Sequence, residues 1–364
     1  MDGINKVYVG LDVHKKYCYA TMMDEKGETL CGRMFLNTIG ELDRFIESIP
    51  SEDAEVVLEA STSALPVYDH LESKGLEMHM AHPLRTKAIA SAKVKTDKID
   101  SKVLADLLRM DGIPEAYVPS KEIRGLRDVV RHRISLVRMR TQIKNRIHAI
   151  LAKEGTRHNF SDLFGRLGMF ALKKVKLNKS NRIAMNNFLD VLEVLNAKID
   201  ETTKYIEDVG KEMEDVKLLV TIPGIGIYSA VLVIAEIGDV SRFLDHGKLT
   251  SYAGLTPRVY QSGSVNRTGH ITKQGSKWLR WILVQCAHST VRSKQPNHLQ
   301  TFYHRKAKKR GNKIAITATA RKLLKVAYYM LQNNEPFKPE GKNIKVKNHG
   351  VITKSPINHA YAVA

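Results

Sequence analysis

The first hundred residues alternate between short apolar runs and segments with helical spacing, and this order restricts the fold more than any other feature of the chain. Apolar runs rich in β-branched residues predict strands at 6–13, 17–23, 28–35, 54–60 and 76–81. Apolar residues three and four apart predict helices at 39–49, at 65–73 and from 97 onward. The N-terminal part is therefore predicted to be an α/β unit with the order β-β-β-α-β-α-β-α.

Carboxylates stand near the ends of two of these apolar runs. Asp12 closes the first predicted strand and Glu59 the fourth, and a carboxylate in an apolar strand is costly unless it is paired or metal-bound. Asp97 and Asp100 lie three residues apart at the start of the last predicted helix, so they share one helix face. The element order resembles that of the ribonuclease-H-like fold, whose acids occupy these same elements. We therefore expect the four acids to meet at one site.

Four acids among lysines indicate a site that holds divalent cations while gripping a polyanion. Two Mg²⁺ or Mn²⁺ ions held roughly 4 Å apart would activate the attacking oxygen and stabilise the leaving oxygen of a phosphodiester. The alternative is a helix cap, with Asp97 at the N-cap and Asp100 at the third helical position. His14 and Lys15, next to Asp12, either contact the scissile phosphate or end the strand in solvent.

The charge balance indicates a polyanionic partner. A net charge of +20 and a pI near 9.7 favour nucleic acid, although a ribosome-associated or membrane-surface protein would also fit. Three cysteines far apart indicate neither a zinc site nor a disulfide framework, and we expect no signal peptide from the pattern of the first residues. The uncharged segment 218–235 is interrupted by Pro223 and glycines, which predicts two short helices rather than a membrane span. We expect a cytoplasmic, nucleoid-associated protein with no membrane partner.

The middle of the chain contains two long helical patterns, at 122–153 and 182–213, joined by an irregular connector at 155–181. The first carries a one-signed basic face that includes Arg131 and Arg138, which favours contact with nucleic acid over simple solvation. Two long amphipathic helices around a connector predict an antiparallel coiled-coil hairpin. Such an arm is typical of dimerisation.

Residues 221–226, between apolar helical segments, resemble a helix-hairpin-helix. The amides of Gly224 and Gly226 would bind a backbone phosphate without reading sequence, or the segment is a plain tight turn. Further along, Ser262 lies beside Gly263 in a predicted loop, where a serine has no special role on local grounds alone.

The end of the chain is basic. A helix that begins near Lys277 and Arg280 follows the predicted loop, and both residues are candidates for nucleic-acid contact. A basic run at 305–310 and a basic helix at 314–331 favour phosphate contact as well. From 336 onward little apolar patterning remains, which predicts a poorly ordered tail.

The combination of motifs resembles a known family. The acids at 12 and 59, KTDKID at 95–100, the helical insert, IPGIG at 222–226, GLTP with QSG at 254–263 and GHITKQG at 269–275 are similar to the DEDD transposases of bacterial insertion sequences. These form the one-hundred-and-ten family, whose relatives include the Piv-type pilin-gene invertases. The resemblance extends to about residue 335, and none of the five key positions departs from the pattern.

The resemblance implies a ribonuclease-H-like (RuvC-like) metal domain and a mostly α C-terminal transposase domain. It makes Asp12, Glu59, Asp97 and Asp100 metal ligands and Ser262 the nucleophile that forms a covalent phosphoserine link to DNA. It also implies homodimers or homotetramers and a structured bridge RNA that pairs with donor and target DNA. The expected organisation is a metal domain, a coiled-coil arm, a transposase domain and a basic tail, at 1–120, 121–215, 216–335 and 336–364.

Two other functions stay open on the sequence. A hydrolytic nuclease or Holliday-junction resolvase would use the four acids and water and leave Ser262 idle. A non-catalytic nucleic-acid-binding scaffold would use only the charge, with the acids as helix caps. A covalent protein–DNA adduct separates the recombinase from both, and metal-dependent cleavage without an adduct selects the nuclease.

Overall fold

A computed structural model describes residues 5–90, 96–262 and 265–341. The chain divides into two compact units, Met1–Val118 and Pro119–Ala364. The first unit is mixed α/β and the second is mostly helical. Further divisions at 215 and 335 stay predictions.

The first unit is built on one five-stranded sheet. Its strands are β1 Val7–Val13, β2 Tyr17–Met23, β3 Thr29–Leu36, β4 Ala54–Glu59 and β5 Glu77–Ala81. Its helices are α1 Ile39–Glu47, α2 Ala64–Ser73, α3 Pro83–Ile89 and α4 Asp97–Arg109. The sheet order is β3-β2-β1-β4-β5, with β1 antiparallel to β2 and parallel to β4. The carboxyl ends of β1 and β4 therefore lie at the same edge of the sheet.

The helix α3 is an addition to the predicted order. It spans only seven residues, begins at Pro83 and buries Thr86 alone. Proline fits the first turn of a helix because its missing N–H has no partner there. A helix this short has too few turns to show an apolar period, so the sequence gives no helical signal.

The two faces of the sheet are covered differently. One face packs its buried residues against α1 and α2, through side chains such as Phe45 and Leu71, both fully buried. The other face receives α4, whose Leu104 and Leu108 pack with Val57 of β4. The helix α4 lies across β2, β1 and β4, and its first residue, Asp97, is close to His14, just after the end of β1.

The second unit contains nine helices in the described residues, a short 3-10 turn at Val240–Arg242 and one β-hairpin. The helices are α5 Lys121–Lys153, α6 Arg166–Lys174, α7 Lys179–Glu212, α8 Glu214–Val220, α9 Ile227–Ile237, α10 His246–Tyr252, α11 Lys277–Arg292, α12 His298–Arg310 and α13 Asn312–Asn333. The hairpin consists of β6 Pro257–Ser262 and β7 Val265–Ile271. The apolar helix α9 is buried at the centre of this unit.

The long helices α5 and α7 pack side by side in opposite directions. Arg133 donates to Thr203 at 2.6 Å, and Arg140, seven residues on, donates to Asn196, seven residues back, at 3.3 Å. The far end of the pair has its own apolar core, to which α6 contributes Leu172. The predicted irregular connector is thus partly helical, because its apolar residues cap the end of the helix pair.

The predicted loop around Ser262 is wrong in one respect, since Pro257–Ser262 is a strand. Flanking glycines and Pro257 favour a loop, but Val259 and Tyr260 have high β-propensity and pair with β7. The hairpin is a two-stranded ribbon, with Val259 and Tyr260 both exposed. Period-2 burial, the usual signal of a strand, is therefore missing from its sequence.

The apolar segment 218–235 contains the end of α8 and most of α9, as predicted. None of the helices in the described ranges has the length and apolar character that crossing a bilayer requires. Residues 336–341 do not belong to a poorly ordered tail, because Phe337 is buried and its N–H donates to Thr221 Oγ1 at 2.8 Å. Residues 342–364 lie outside the described part.

Candidate active site

A close contact between backbones sets the geometry of the acidic sheet edge. An ideal Cβ at Gly10 of β1 would lie 1.9 Å from the carbonyl oxygen of Ser101 and 2.5 Å from the amide nitrogen of Ala105, both in α4. The same seam holds a buried hydrogen bond of 2.7 Å between the hydroxyls of Thr21 and Ser101. Only glycine leaves room for α4 to cross β1 this closely.

Three side chains converge where β1 meets the first turn of α4. One ligand atom from each of Asp12, His14 and Asp97 lies within 4.8 Å of the other two. His14 Nε2 is 3.3 Å from Asp12 Oδ2 and 3.3 Å from Asp97 Oδ1. The hydroxyl of Tyr17 donates to Asp97 Oδ2 at 3.2 Å. The acidic edge therefore contains two carboxylates bridged by an imidazole.

The surroundings of this edge disfavour the simultaneous ionisation of all its carboxyl groups. Burial raises the pKa of Asp12, and the neighbouring Asp97 and Asp100 raise it further, while His14 lowers it. The hydrogen bond to Asp97 raises the pKa of Tyr17, because the neutral hydroxyl is the donor. A divalent cation would relieve the repulsion among the carboxylates.

The structure places the other two predicted ligands near this edge. Asp100 is close enough to Asp12 to raise its pKa. Glu59 is the residue after Leu58, which pairs in parallel with Leu11, so Glu59 and Asp12 are neighbours in the continued register. Glu59 is exposed at the strand end. Carboxylates from β1, β4 and α4 thus belong to one edge of the sheet.

The capping alternative assigned the cap to the wrong residue. Thr96 is the N-cap of α4, and its hydroxyl accepts a hydrogen bond from the amide of Ile99 at 3.3 Å. Asp97 is the first helical residue, and its carboxylate reaches Tyr17 and His14. The helix therefore starts without help from the side chain of Asp97, which leaves that carboxylate for the cluster.

The donor set fits a hard divalent cation. Carboxylate oxygens are the preferred ligands of Mg²⁺ and Mn²⁺, and Mn²⁺ also accepts imidazole nitrogen. The Nε2 atom of His14 is buried and makes no well-aligned hydrogen bond, although both carboxylates are close. A bound ion is one explanation of a buried polar atom that has no well-aligned hydrogen bond.

Ser262 is the last residue of β6, and its main chain is opposite Val265 of β7. The hairpin that carries it joins α10 to α11. The expected serine is thus at the end of one strand of a two-stranded ribbon.

Several residues predicted to contact nucleic acid have partners inside the second unit. Arg131 forms a bidentate ion pair with Glu236, and Arg280 donates to the carbonyl of Ala253 at 3.1 Å. Burial lowers the pKa of Arg280. These two guanidinium groups hold the helices together, so their roles as phosphate contacts stay untested predictions.

The remaining predicted contacts differ among themselves. The guanidinium of Arg138 lies 4.6 Å from the ring of Trp278, and the ammonium of Lys277 lies 5.0 Å from the same ring. Gly224 has a φ of +89° and would place a Cβ 2.6 Å from the backbone of Ser289, so it serves close helix packing. Gly226 is the N-cap of α9, where a Cβ would meet open space.

Sequence reasoning missed two features of these sites. It offered His14 as a phosphate contact and not as a member of the metal cluster; only its position two residues after Asp12 signals that role. It also overlooked that residues 246–334 contain no Asp or Glu but seventeen Lys and Arg. This acid-free segment includes the hairpin and the helices α11, α12 and α13, and such a one-signed charge favours a polyanionic ligand.

Comparison with known families covers both units. A model described as "Transposase IS116/IS110/IS902 family" matches residues 216–304. A second transposase model, of the DEDD IS110 type, matches residues 9–154, and the two together cover more than half of the chain. The chain belongs to the IS110/IS116/IS902 family of transposases.

Individual relatives of this transposase agree with the family. It is 22% identical over 342 residues to the transposase for insertion sequence element IS1328 of Yersinia enterocolitica, across 92% of this chain and 99% of the relative. It is 23% identical over 336 residues to the transposase for IS1111A of Coxiella burnetii, across 91% of each chain. It is 37% identical over 121 residues to the pilin gene-inverting protein of Moraxella bovis, which is 33% of this chain and 38% of the relative.

The family gives the activity class. The protein is a DNA transposase, an enzyme that cuts and rejoins DNA, and the DEDD type implies dependence on a divalent metal. The sheet edge that carries Asp12, Glu59, Asp97 and Asp100 lies within the residues matched by the DEDD model.

Proposed function

We propose that this transposase cuts and rejoins DNA with a divalent-metal site at the sheet edge and with Ser262 as a covalent nucleophile. The first unit is then a ribonuclease-H-like (RuvC-like) domain, supported by its sheet order and by acids at the ends of β1 and β4. The observation that carries the proposal is the convergence of Asp12, His14 and Asp97 beneath the seam at Gly10.

The metal site would be formed by Asp12, Glu59, Asp97 and Asp100, with His14 as an additional nitrogen ligand. A pair of Mg²⁺ or Mn²⁺ ions bound there would stabilise the charge that develops on the phosphodiester oxygens. The chain's own contribution is orientation. Tyr17 holds one oxygen of Asp97, and the backbone contact at Gly10 fixes the helix that bears Asp97 and Asp100.

Ser262 would perform the covalent step. Its hydroxyl oxygen forms a bond to the DNA phosphorus, the bond from phosphorus to the departing strand oxygen breaks, and that oxygen takes up a proton as the serine loses its own. The new phosphoserine ester conserves the energy of the phosphodiester. A second strand can therefore attack it and be joined without ATP, which hydrolysis by water would not allow.

The proposed nucleic-acid partners are DNA at the element ends and target, and a structured bridge RNA that selects them. The acid-free segment 246–334 supports a large polyanionic partner for the second unit. The turn at Gly224 and Gly226 between α8 and α9 is then a helix-hairpin-helix, in which the amides of the α9 N-terminus bind phosphate. RNA that copurifies with the protein and disappears after ribonuclease treatment is the expected sign of the guide.

The paired helices α5 and α7 would form a coiled-coil arm that assembles dimers or tetramers. Ile134 and Ile199 are buried within the unit, so they stabilise the helix pair itself. Apolar residues of α7 that are exposed lie within roughly 80° of one another around its axis. They are Ile183, Val191, Val194 and Tyr205. This exposed stripe is the surface that we assign to a second copy of the chain.

Val194→Asp tests the assembly role of the stripe. Burying a carboxylate in such an interface costs several kcal/mol, so the oligomer should dissociate in light scattering. Lys204→Asp, at an exposed polar position of the same helix, is the matched control and should leave the mass unchanged. An intact oligomer in Val194→Asp would remove this stripe from the proposal.

Ser262→Ala tests the nucleophile. The change removes one oxygen, so folding and metal binding should persist, while strand exchange and the covalent adduct that survives denaturation should vanish. Ser264→Ala, two positions along the chain, is the matched control and should form the adduct. A hydrolytic nuclease would cleave DNA at the normal rate in both variants, which would refute the serine mechanism.

A further inference from the structure

Both ends of the β6–β7 hairpin are hydrogen-bonded to one buried residue, Glu236. Glu236, near the end of α9, is fully buried. Its Oε1 accepts from Nε of Arg131 at 2.8 Å, and its Oε2 accepts from Nη2 of Arg131 at 3.0 Å. Oε2 also accepts from the hydroxyl of Ser276 at 2.8 Å, and the main-chain carbonyl accepts from the hydroxyl of Tyr252 at 3.2 Å. Tyr252 precedes the hairpin and Ser276 follows it.

The main chain closes the base of the hairpin between these two residues. The amide of Ser276 donates to the carbonyl of Tyr252 at 2.8 Å, and that of Thr272 donates to Thr256 at 2.9 Å. Gly275 has a φ of +98°, and a Cβ there would lie 2.1 Å from the carbonyl oxygen of Tyr252. The hairpin base is therefore a tight neck in which backbones touch, and Glu236 is bonded to both of its sides.

Stability alone does not account for an ion pair at this position. Replacing a buried ion pair with well-packed apolar residues is often neutral or stabilising, so such pairs are poor evidence of a stabilising role. Their attested use is to select one arrangement among several of similar energy. Here the arrangement is selected by three directional bonds to one carboxylate, two from Arg131 of α5 and one from Ser276, the N-cap of α11.

We propose that Glu236 is a positioning residue for strand exchange. Held by Arg131, it fixes the neck of the hairpin and thereby the direction in which Ser262, at the end of β6, is presented to DNA. This inference rests on the proposed role of Ser262 as nucleophile. The carboxylate of Glu236 acts through Ser276, because it is itself buried. A displacement of about 1 Å at a reacting atom costs on the order of 10²-fold in rate.

The decisive experiment replaces both charges together, in Glu236→Met with Arg131→Met. The double variant leaves no unpaired buried charge, so its thermal midpoint should stay near that of the wild type. Covalent adduct formation, measured at saturating DNA, should fall about 10- to 100-fold. Amide hydrogen exchange at Thr272 and Ser276 should become faster, which measures the neck directly and without reference to the reaction.

A second pair of variants isolates the link to the hairpin. Ser276→Ala removes the hydroxyl that bonds Glu236 and also the N-cap of α11, whereas Ser276→Thr keeps a hydroxyl and should restore adduct formation. Ser120→Ala is the matched control, because Ser120 caps α5 in the same way, by accepting from the amide of Ile123. It should lose helix stability without a loss of adduct rate.

Each outcome bears on the inference. A folded double variant with a normal adduct rate, or with unchanged exchange at the neck, would overturn it. If the double variant does not fold, equal adduct rates in Ser276→Ala and Ser120→Ala would overturn it instead. If the wild type forms no adduct at Ser262, the nucleophile proposal fails and this role fails with it. Exchange at the neck still shows in that case whether Glu236 holds the hairpin.

Discussion

The two units treat their key carboxylates in opposite ways. At the edge of the first sheet, Asp12 and Asp97 are partly exposed, lie near a third acid, and share one imidazole that is not aligned to bond either. In the second unit, Glu236 is fully buried, and both of its oxygens accept hydrogen bonds from Arg131, with a third from Ser276.

The difference distinguishes a site that binds a ligand from a site that holds another part of the protein in position. The carboxylates of the acidic edge repel one another, and burial makes their charges more costly. Binding a cation would therefore lower the free energy of this site. The Glu236 site is already satisfied, so removing only one of its two charges raises its energy. Substituting an acid of the first site should change the activity strongly and the free energy of unfolding only a little. Substituting Glu236 alone should lower both.

The largest expected effect is on cleavage in Asp97→Asn. The amide keeps the size of the side chain and still accepts from Tyr17, but it weakens metal binding. Loss of about 4 kcal/mol of transition-state stabilisation would slow cleavage roughly 10³-fold, while DNA binding and its salt dependence persist. Asp106→Asn, in the same helix but paired with Arg109, is the control and should cleave normally.

A collapse in the thermal midpoint of Asp97→Asn would contradict this contrast, because it would assign the carboxylate a structural role at the helix start. Retained cleavage in the same variant would remove Asp97 from the proposed metal ligands. Gel assays of cleavage and calorimetry on one preparation decide between these results.

The next largest effect is on stability in Glu236→Ala. The change empties a fully buried position and removes the acceptor of Arg131 and Ser276, which together cost about 3–5 kcal/mol. The thermal midpoint should fall by roughly 10 °C for a unit of this size. Glu201→Ala, which breaks an exposed pair with Lys198, is the control and should cost less than about 1 kcal/mol. Equal losses in the two variants would contradict the contrast between the sites.

The smallest effect is an increase in stability in Asp12→Asn, measured with a chelator present. The folded pKa of Asp12 is raised above 3.8, so the folded state binds more protons than the unfolded state in the window above that value. The stability that Asp12 provides in acid is therefore lost as pH rises through its folded pKa. Asp12→Asn has no carboxyl group to ionise at this position, so it does not lose this stability. Its free energy of unfolding should therefore exceed that of the wild type only above pH 3.8, by an amount that grows with pH.

Added Mg²⁺ should make the wild type more stable than Asp12→Asn at neutral pH, because only the wild type has the full set of carboxylates to bind the ion. Denaturant unfolding at several pH values, with and without the ion, measures both effects. A variant that is less stable than the wild type in the chelator at neutral pH would show that the carboxylate is already satisfied, as Glu236 is.

Much of the first unit follows from the sequence because its signals are local. Each strand is a continuous apolar run, and the acids stand at the run ends, so the order of elements and the candidate ligands can be predicted together. Gly10 within such a run is a signal of close approach. The part that could not be predicted is the position of His14, since its role depends on where α4 crosses the strand.

The second unit is less predictable for a physical reason. Glu236 lies in an apolar helix, and its partner Arg131 is 105 residues away, so no local pattern joins them. The hairpin is a ribbon without a buried face, so it lacks the alternation that marks a strand. Periodicity reports how an element meets a core, and these features depend instead on directional bonds between distant segments.

The seam at Gly10 has a consequence for ion selectivity. Because main-chain atoms of α4 touch β1, the spacing between the acids of the two elements is set by the backbone and not by adjustable side chains. Magnesium requires oxygen ligands at 2.0–2.1 Å and calcium at 2.3–2.6 Å, so a rigid spacing discriminates between ions by radius. A methyl group at position 10 would move the helix outward and enlarge the site. We therefore expect Gly10, which is not itself one of the proposed ligands, to influence which size of ion the proposed metal site prefers.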